Sequence, residues 1–199
     1  TLTLSDDARG TDFKSLQKIL QSAANFYCQQ FDKLPTEHVA RTEITARGLT
    51  YDNKRPDWLR YGYSPGGNAL YKLLTHQGFT DELILESGLC RKSDRGELFD
   101  FFRSRLMFIF TDRYNKPVGF SSRKLFDDDT RGKYVNSSES PLFHKSSVLY
   151  NHVLARKAAS SAKMLYVVEG QFDVAAFVEA GALNVVASSG TAFTQDHVN

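Results

Sequence analysis

An α+β fold is predicted for this 199-residue chain by three patterns that succeed one another along it. From Asp12 to Gly88 apolar residues recur at helical spacing and the stretches close on glycine. After Gly96 two short apolar runs flank a polar turn. From Met164 to Ser188 the chain reads strand, helix, strand. Together they predict a mixed helical and β-hairpin lobe followed by a partial α/β subdomain built on one parallel βαβ unit.

Composition sets the outer bounds. With 41% hydrophobic and 13% aromatic residues the chain can build a core, as one large domain or two small ones. No apolar run approaches a membrane span, and the N-terminus lacks the basic-then-apolar layout of a signal peptide, so a soluble, intracellular protein is expected. Cys28 and Cys90 stand far apart, with no second cysteine or histidine at ligand spacing. That excludes a disulfide framework and a zinc motif, and both thiols are expected to pack. The net charge of +2 is unevenly spread: residues 91–163 hold fifteen Lys/Arg against eight Asp/Glu, whereas residues 164–199 hold no Lys/Arg and four acids. A basic surface attracts phosphate and carboxylates hold divalent cations, which suggests nucleic acid plus metal. A solvated basic face neutralising an acidic neighbour accounts for the counts equally well.

In chain order, residues 1–12 lack periodicity and read as a linker. From Asp12, a plausible cap, Phe13, Leu16, Ile19, Leu20, Ala23, Phe26 and Tyr27 define a long amphipathic helix ending near Phe31. A second short helix opens at Pro35-Thr36 and stops at Arg47-Gly48, a punctuation repeated at Gly78 and Gly88. Between them Tyr61 to Gly67 reads as a turn-rich loop whose aromatics are expected to fill core. Leu106 to Phe110 and Pro117 to Phe120 make the hairpin, with Arg103 and Arg105 entering and Arg123 and Lys124 leaving. Asp127-Asp128-Asp129 is expected to be a solvated loop tip, because three adjacent carboxylates cannot converge on one ion from a regular element. Lys133 to Ser137 gives a short strand, Pro141 to Lys145 a basic turn and Asn151 to Ser161 a helix.

The last unit is the most informative. Met164 to Val168 is an unbroken apolar run, the pattern of a strand buried on both faces, and it ends in Glu169-Gly170. Val174 to Ala182 is helix-compatible with Asp173 in its first turn, and Asn184 to Ser188 is the next strand. Ligands in open α/β sheets sit beyond the carboxyl ends of the strands, so Glu169 stands where a metal ion or phosphate would be met. Alternatively, Glu169 and Asp173 complement the positive end of the helix.

The ordered series Phe102-Arg103-Ser-Arg105-Leu-Met-Phe108, Val118 to Arg123, Lys133-Tyr-Val-Asn-Ser137, Leu142 to Lys145, Val167-Val-Glu169-Gly-Gln-Phe-Asp173 and Ala187 to Thr191 closely resembles the bacterial DnaG-type primases. Arg47-Gly48-Leu49 and Tyr61 to Pro65 match that family's helical entry to its RNA polymerase domain. The resemblance implies residues 13–160 as the basic N-terminal lobe and residues 161–199 as a Toprim subdomain. It implies template-directed synthesis of short RNA primers on single-stranded DNA by nucleotidyl transfer with Mg²⁺ or Mn²⁺. Implied partners are the DNA template, ribonucleoside triphosphates, the RNA primer and a replicative helicase bound through a further region. The implied location is the cytoplasmic replication fork at the nucleoid, or an organelle in a eukaryote.

By the same resemblance Glu169 is the catalytic glutamate and a metal ligand, and Asp173 is its acidic partner. Arg103, Arg123, Lys133, Tyr134, Asn136, Ser137 and Lys145 are implied to meet triphosphate and template. Arg105 is as easily a surface ion pair as a nucleotide contact, and His144 reads as a hydrogen-bonded loop histidine. Gly190-Thr191 is implied to line the Toprim face. Two departures stand out: Ser121-Ser122 replace the family's usual glycine pair, and Gln171-Phe172 replace a common tyrosine and methionine. The family's Asp-x-Asp pair would lie beyond Asn199, so a truncated Toprim subdomain is expected, without the family's zinc-binding domain. The alternative function is a non-catalytic module that binds single-stranded DNA or assembles a replisome.

Overall fold

The computed structural model describes residues 4–51 and 59–190, with side chains from residue 13 onward. Residues 1–3 of the expected linker, and Thr191, lie outside the described residues. Helix α1 spans Leu4–Asp32, so it begins ahead of the expected start at Asp12. Leu16, Ile19, Leu20, Ala23, Phe26 and Tyr27 of the stripe the periodicity marks face inward, whereas Phe13, expected with them at the start of the stripe, is 41% exposed. Helix α2, Val39–Thr45, starts later than Pro35 because the His38 Nδ1 accepts the Ala40 N–H and caps it there. Helices α3 (Ala69–His76) and α4 (Asp81–Glu86) follow, and Gly48, Gly78 and Gly88 all adopt positive φ just past a helix end.

Four antiparallel strands form the main sheet in the order β1 (Gly62–Ser64), β4 (Arg105–Thr111), β5 (Pro117–Lys124), β6 (Tyr134–Asn136). The segment read as a loop after Tyr61 is therefore an edge strand, with Gly62 opposite Met107. Three residues are too few for a period-2 signal to show. A Cβ at Gly62 would sit 2.8 Å from the Tyr27 Cβ, so this glycine lets α1 lie directly on the strand. Gly119 does the same for the Phe143 ring, which a Cβ would meet at 2.7 Å. A separate hairpin pairs β2 (Cys90–Lys92) with β3 (Leu98–Asp100). Cys28 and Cys90 are both buried in the core, as expected. Burial and the neighbouring Asp100 push the Cys90 thiol up to about 12.

Helix α5 (His152–Ala162) leads into strand β7 (Tyr166–Val168), helix α6 (Gln171–Glu179) and strand β8 (Val185–Ala187), and β7 and β8 pair in parallel. The βαβ unit is present, but β7 is not buried on both faces as the apolar run suggested. Met164 is 50% exposed and Val167 46%. Strand β8 pairs with one edge of β7, and Phe177 of α6 covers Tyr166 at 5.1 Å, which leaves the rest of the run uncovered among the described residues. The inner side of the unit joins the lobe's core: Phe172, Val174, Val185 and Ala187 share a cluster with Tyr61, Phe108, Phe143 and Tyr150.

The loop after β5 departs from expectation in one residue. Asp127 and Asp128 are exposed, but Asp129 is half-buried against Arg105, whose side chain is 0% exposed. The Arg105 Nε donates to the Asp129 Oδ2 at 2.6 Å, and its Nη2 donates to the Gly132 carbonyl at 2.9 Å. Arg131 donates to the other carboxylate oxygen. Burial would raise the Asp129 carboxyl, but the hydrogen bonds from Arg105 and Arg131 outweigh it and hold it well below the usual range. Arg105 is thus neither a surface pair nor a ligand contact; it pins the 125–132 loop.

Candidate catalytic and nucleic-acid-binding site

The sheet register gathers the expected basic residues. Leu106 stands opposite Arg123, and Arg123 opposite Tyr134. The Lys124 N–H donates to the Lys133 carbonyl at 2.9 Å. The start of β4, the end of β5 and the start of β6 therefore share one end of the sheet, which collects Arg103, Arg123, Lys124, Lys133 and Tyr134. Arg103 is exposed there, its guanidinium 5.3 Å from the Phe99 ring, and it lines a 490 Å³ hollow with Phe126, Asp128 and Arg131. Lys133 is exposed and Tyr134 is 39% exposed, so charge and a stacking ring are presented side by side.

Arg123 is held from a direction the sequence did not reveal. Glu43 of α2 receives Arg123 Nε at 2.6 Å and Arg47 Nη2 at 2.8 Å. Burial raises the Glu43 carboxyl, but the two arginines together hold it below its ordinary value, so it stays ionised between them. The Arg47 guanidinium lies 4.4 Å from the Phe172 ring, and that of Arg123 lies 5.8 Å from the same ring and 5.6 Å from Tyr134. Phe172 in turn packs edge-on to Phe108 of β4 at 5.3 Å. The ring stands in the first turn of α6, between Glu169 and Asp173 in the chain. It therefore pins the acidic turn against the basic end of the lobe. A second tie lies at the other strand: Asn136 Nδ2 donates to the Ser189 carbonyl just past β8 at 3.1 Å.

The carboxylates themselves are open. Glu169 follows β7 directly and is exposed, and no side chain among the described residues pairs with it. Asp173 is also exposed; its Oδ2 accepts the Gly170 N–H at 3.0 Å, the one half of a capping box that a glycine N-cap allows on α6. So Asp173 performs the helix-capping role, with its other oxygen left over. Mg²⁺ keeps several waters and takes one or two carboxylates plus substrate phosphates. An exposed Glu169, with Asp173 four residues on, suits such an ion as one part of its donor set. Among the described residues no group of three or more His, Cys, Asp or Glu converges on one point.

The remaining expected residues are tied into the surrounding loops and strands. Ser137 is buried: its hydroxyl accepts the Phe120 N–H at 2.9 Å and its own N–H donates to the Phe120 carbonyl, which fixes Asn136 beside it. The Lys145 N–H donates to Glu139 Oε1 at 3.1 Å, and His144 Nδ1 lies 3.2 Å from Glu139 Oε2, so that loop histidine is hydrogen-bonded as expected. Gln171 is buried at the head of α6 and Ser121 and Ser122 are buried in β5, so both departures from the family pattern are interior. Glu43, Arg47 and Phe172 are the participants that sequence reasoning missed. The i,i+4 spacing of Glu43 and Arg47 was a legible signal for their own pair. Nothing in the sequence tied it to Arg123.

The strand ends of a basic α+β lobe and an acidic βαβ turn thus lie on either side of the Phe172 ring. The model of the DNA primase catalytic core, N-terminal domain, matches residues 26–156, and that of the Toprim domain matches residues 163–199. The chain belongs to the DnaG-type DNA primase family. It is 38% identical over 177 residues to the DNA primase of Streptomyces coelicolor, which covers 88% of this chain and 27% of that protein. Its fold superposes on the RNA polymerase domain of Mycobacterium tuberculosis primase DnaG, solved in complex with a double-stranded DNA oligomer carrying a 6-nucleotide overhang. That match has a TM-score of 0.85 at 35% identity and covers 93% of this chain and 57% of that one. A DnaG primase catalytic domain bound to single-stranded DNA matches with a TM-score of 0.79 at 30% identity, over 95% of this chain and 60% of that one.

No helix among the described residues is long and apolar enough to cross a membrane.

Proposed function

We propose that this chain forms the template- and nucleotide-handling part of a primase core that synthesises RNA primers on single-stranded DNA. The observation that carries the reading is the seam at Phe172. There Arg47 and Arg123 lie against the ring of a residue that falls between Glu169 and Asp173 in the chain, which supports reading cations for a triphosphate beside carboxylates for a metal ion. In the reaction a primer 3′ oxygen attacks the α-phosphorus of a ribonucleoside triphosphate in line, the new phosphodiester forms and pyrophosphate leaves. Mg²⁺ or Mn²⁺, when bound, would stabilise the charge on the attacking and leaving oxygens.

The chain's own residues do the positioning. Glu169, with Asp173 four residues on, would hold the ion's protein side. Arg123 and Arg103 neutralise phosphate oxygens, and Glu43 fixes the direction in which Arg123 points. Lys133 and Lys145 follow the template backbone, Tyr134 offers a face to a base, and Ser137 sets Asn136 at the seam. A replicative helicase is the proposed further partner, through a region beyond these residues.

The test is template-directed ribonucleotide incorporation with Mg²⁺ or Mn²⁺, comparing this chain with one extended through the Toprim domain. RNA synthesis by the extended chain that Glu169→Gln abolishes, with single-stranded DNA affinity kept, supports the reading. DNA binding with no incorporation under any condition replaces it with a non-catalytic binding module.

A further inference from the structure

Two hollows adjoin along the outer side of α5, away from the acidic turn. One, of 860 Å³, is lined by Asp112, Arg113, His152, Arg156, Ser160 and Leu165 among others. The second, of 540 Å³, shares Arg113, His152, Arg156 and Ser160 and adds Lys157 and Ser161. On the helix, His152, Arg156 and Ser160 recur every four residues, and Lys157 and Ser161 form the adjoining row. Successive members of a row are therefore about 6 Å apart along the axis. Arg113 reaches this face from the turn that joins β4 and β5.

The charges on this face lack carboxylate partners among the described residues, although the Arg113 guanidinium lies 5.0 Å from the Tyr114 ring. Arg113, Arg156 and Lys157 are exposed, and none of them has an acidic partner among the described residues. The stretch from Pro141 to Val168 contains four Lys/Arg and no Asp or Glu. Asp112 is the one carboxylate on the lining, and its Oδ1 is occupied by the N–H groups of Tyr114 and Lys116. Ser161 donates back to the Lys157 carbonyl, which leaves Ser160 as the open hydroxyl. Position separates the face from the seam. Leu165 on its wall precedes β7, whereas Glu169 follows it, four residues or about 13 Å along the strand.

Guanidinium, ammonium and hydroxyl donors in rows are the groups that contact sugar–phosphate backbones. We propose that the α5 face, with Arg113, Arg156, Lys157 and Ser160, is a second nucleic-acid site that grips strand phosphates without reading sequence. The proposal rests on the primase-core reading. It would hold a strand at the opposite end of β7 from the chemistry, so that template is retained by two separated contacts. Separated contacts lower the chance that both let go together.

The test is the anisotropy of a fluorescent oligothymidylate titrated with this chain over a range of salt. Wild type is compared with the triple variant Arg113→Ala/Arg156→Ala/Lys157→Ala, with the charge-keeping pair Arg156→Lys/Lys157→Arg, and with Arg123→Ala. Each phosphate contact contributes about 0.7 to the slope of log K against log salt, so the triple variant should bind more weakly with a slope shallower by about 2. The charge-keeping pair should match wild type, and a coincident thermal melt shows that the triple variant is folded. A triple variant with wild-type affinity and slope, while Arg123→Ala weakens binding, overturns this site and leaves the primase-core reading standing. Loss of binding to an oligoglutamate peptide with oligothymidylate binding intact also overturns it, because the face would then dock protein. A wild type that binds no DNA at any salt overturns both.

Discussion

Two apolar runs of equal length meet opposite fates in this molecule. Leu106 to Phe110 lies at the centre of the main sheet, between β1 and β5, with α1 on one face and the Phe172 cluster on the other. Every residue of β4 is buried. Among the described residues, Met164 to Val168 pairs with one neighbour, is covered on one side, and leaves Val167 46% exposed. The comparison teaches that an apolar run records a capacity for burial, and that the number of partner strands and covering elements decides how much of it is used.

The sharpest way to test that contrast is to truncate both runs. Phe108→Ala, at a fully buried ring that touches Tyr61, Tyr150 and Phe172, should cost about 3–5 kcal/mol in urea-induced unfolding. A loss below 1 kcal/mol would mean that the sheet's two faces are not packed as described.

The pinned loop comes next. Asp129→Ala leaves the Arg105 guanidinium buried without its carboxylate, and should cost about 3 kcal/mol. The same pair predicts a pH dependence. The Asp129 carboxyl is held low in the folded state, so its contribution is complete above the unfolded value of about 3.9 and is lost as the pH falls below that. Wild type should therefore lose stability faster than Asp129→Ala on acidification below about pH 4. Parallel curves would show that the pair is not formed.

The tie between the two regions is weaker. Asn136→Ala removes the hydrogen bond to the Ser189 carbonyl, and about 1 kcal/mol is expected. Amide exchange should show the loss as earlier opening of residues 185–190 than of β4 and β5. Uniform acceleration across the sheet would instead place Asn136 in the global core. The smallest effect belongs to β7: Val167→Thr, at an exposed position, should shift stability by no more than about 0.5 kcal/mol. A penalty near that of a core valine would show that the strand is covered in solution.

Much of the architecture was legible. The period of Leu16, Ile19, Leu20, Ala23 and Tyr27 marked the buried face of α1, and the glycines at 48, 78 and 88 marked helix ends, because both signals are local. The hairpin strands and the order of the last unit were equally readable. The strands β1, β2 and β3 were not, since Gly62–Ser64 lies among turn residues and Cys90–Lys92 and Leu98–Asp100 carry charged residues in place of an apolar run. Within the candidate site, Glu169, Asp173, Arg123 and Asn136 stood out on spacing and resemblance. Glu43, which holds Arg123 from eighty residues away, and the burial of Arg105 against Asp129 left no local trace.

By itself, then, the sequence determined which segments would be helix, hairpin and parallel unit, and which carboxylate would end a strand. These follow from the periodicity of neighbouring residues and from backbone preferences within a few positions. Packing between distant segments settled that Asp129 would be drawn against Arg105, that the run Met164 to Val168 would stay partly exposed among the described residues, and that Phe172 would become the joint between basic lobe and acidic turn. Each of those depends on groups distant in the chain arriving at the same place, where burial and pairing are set by what else is packed there.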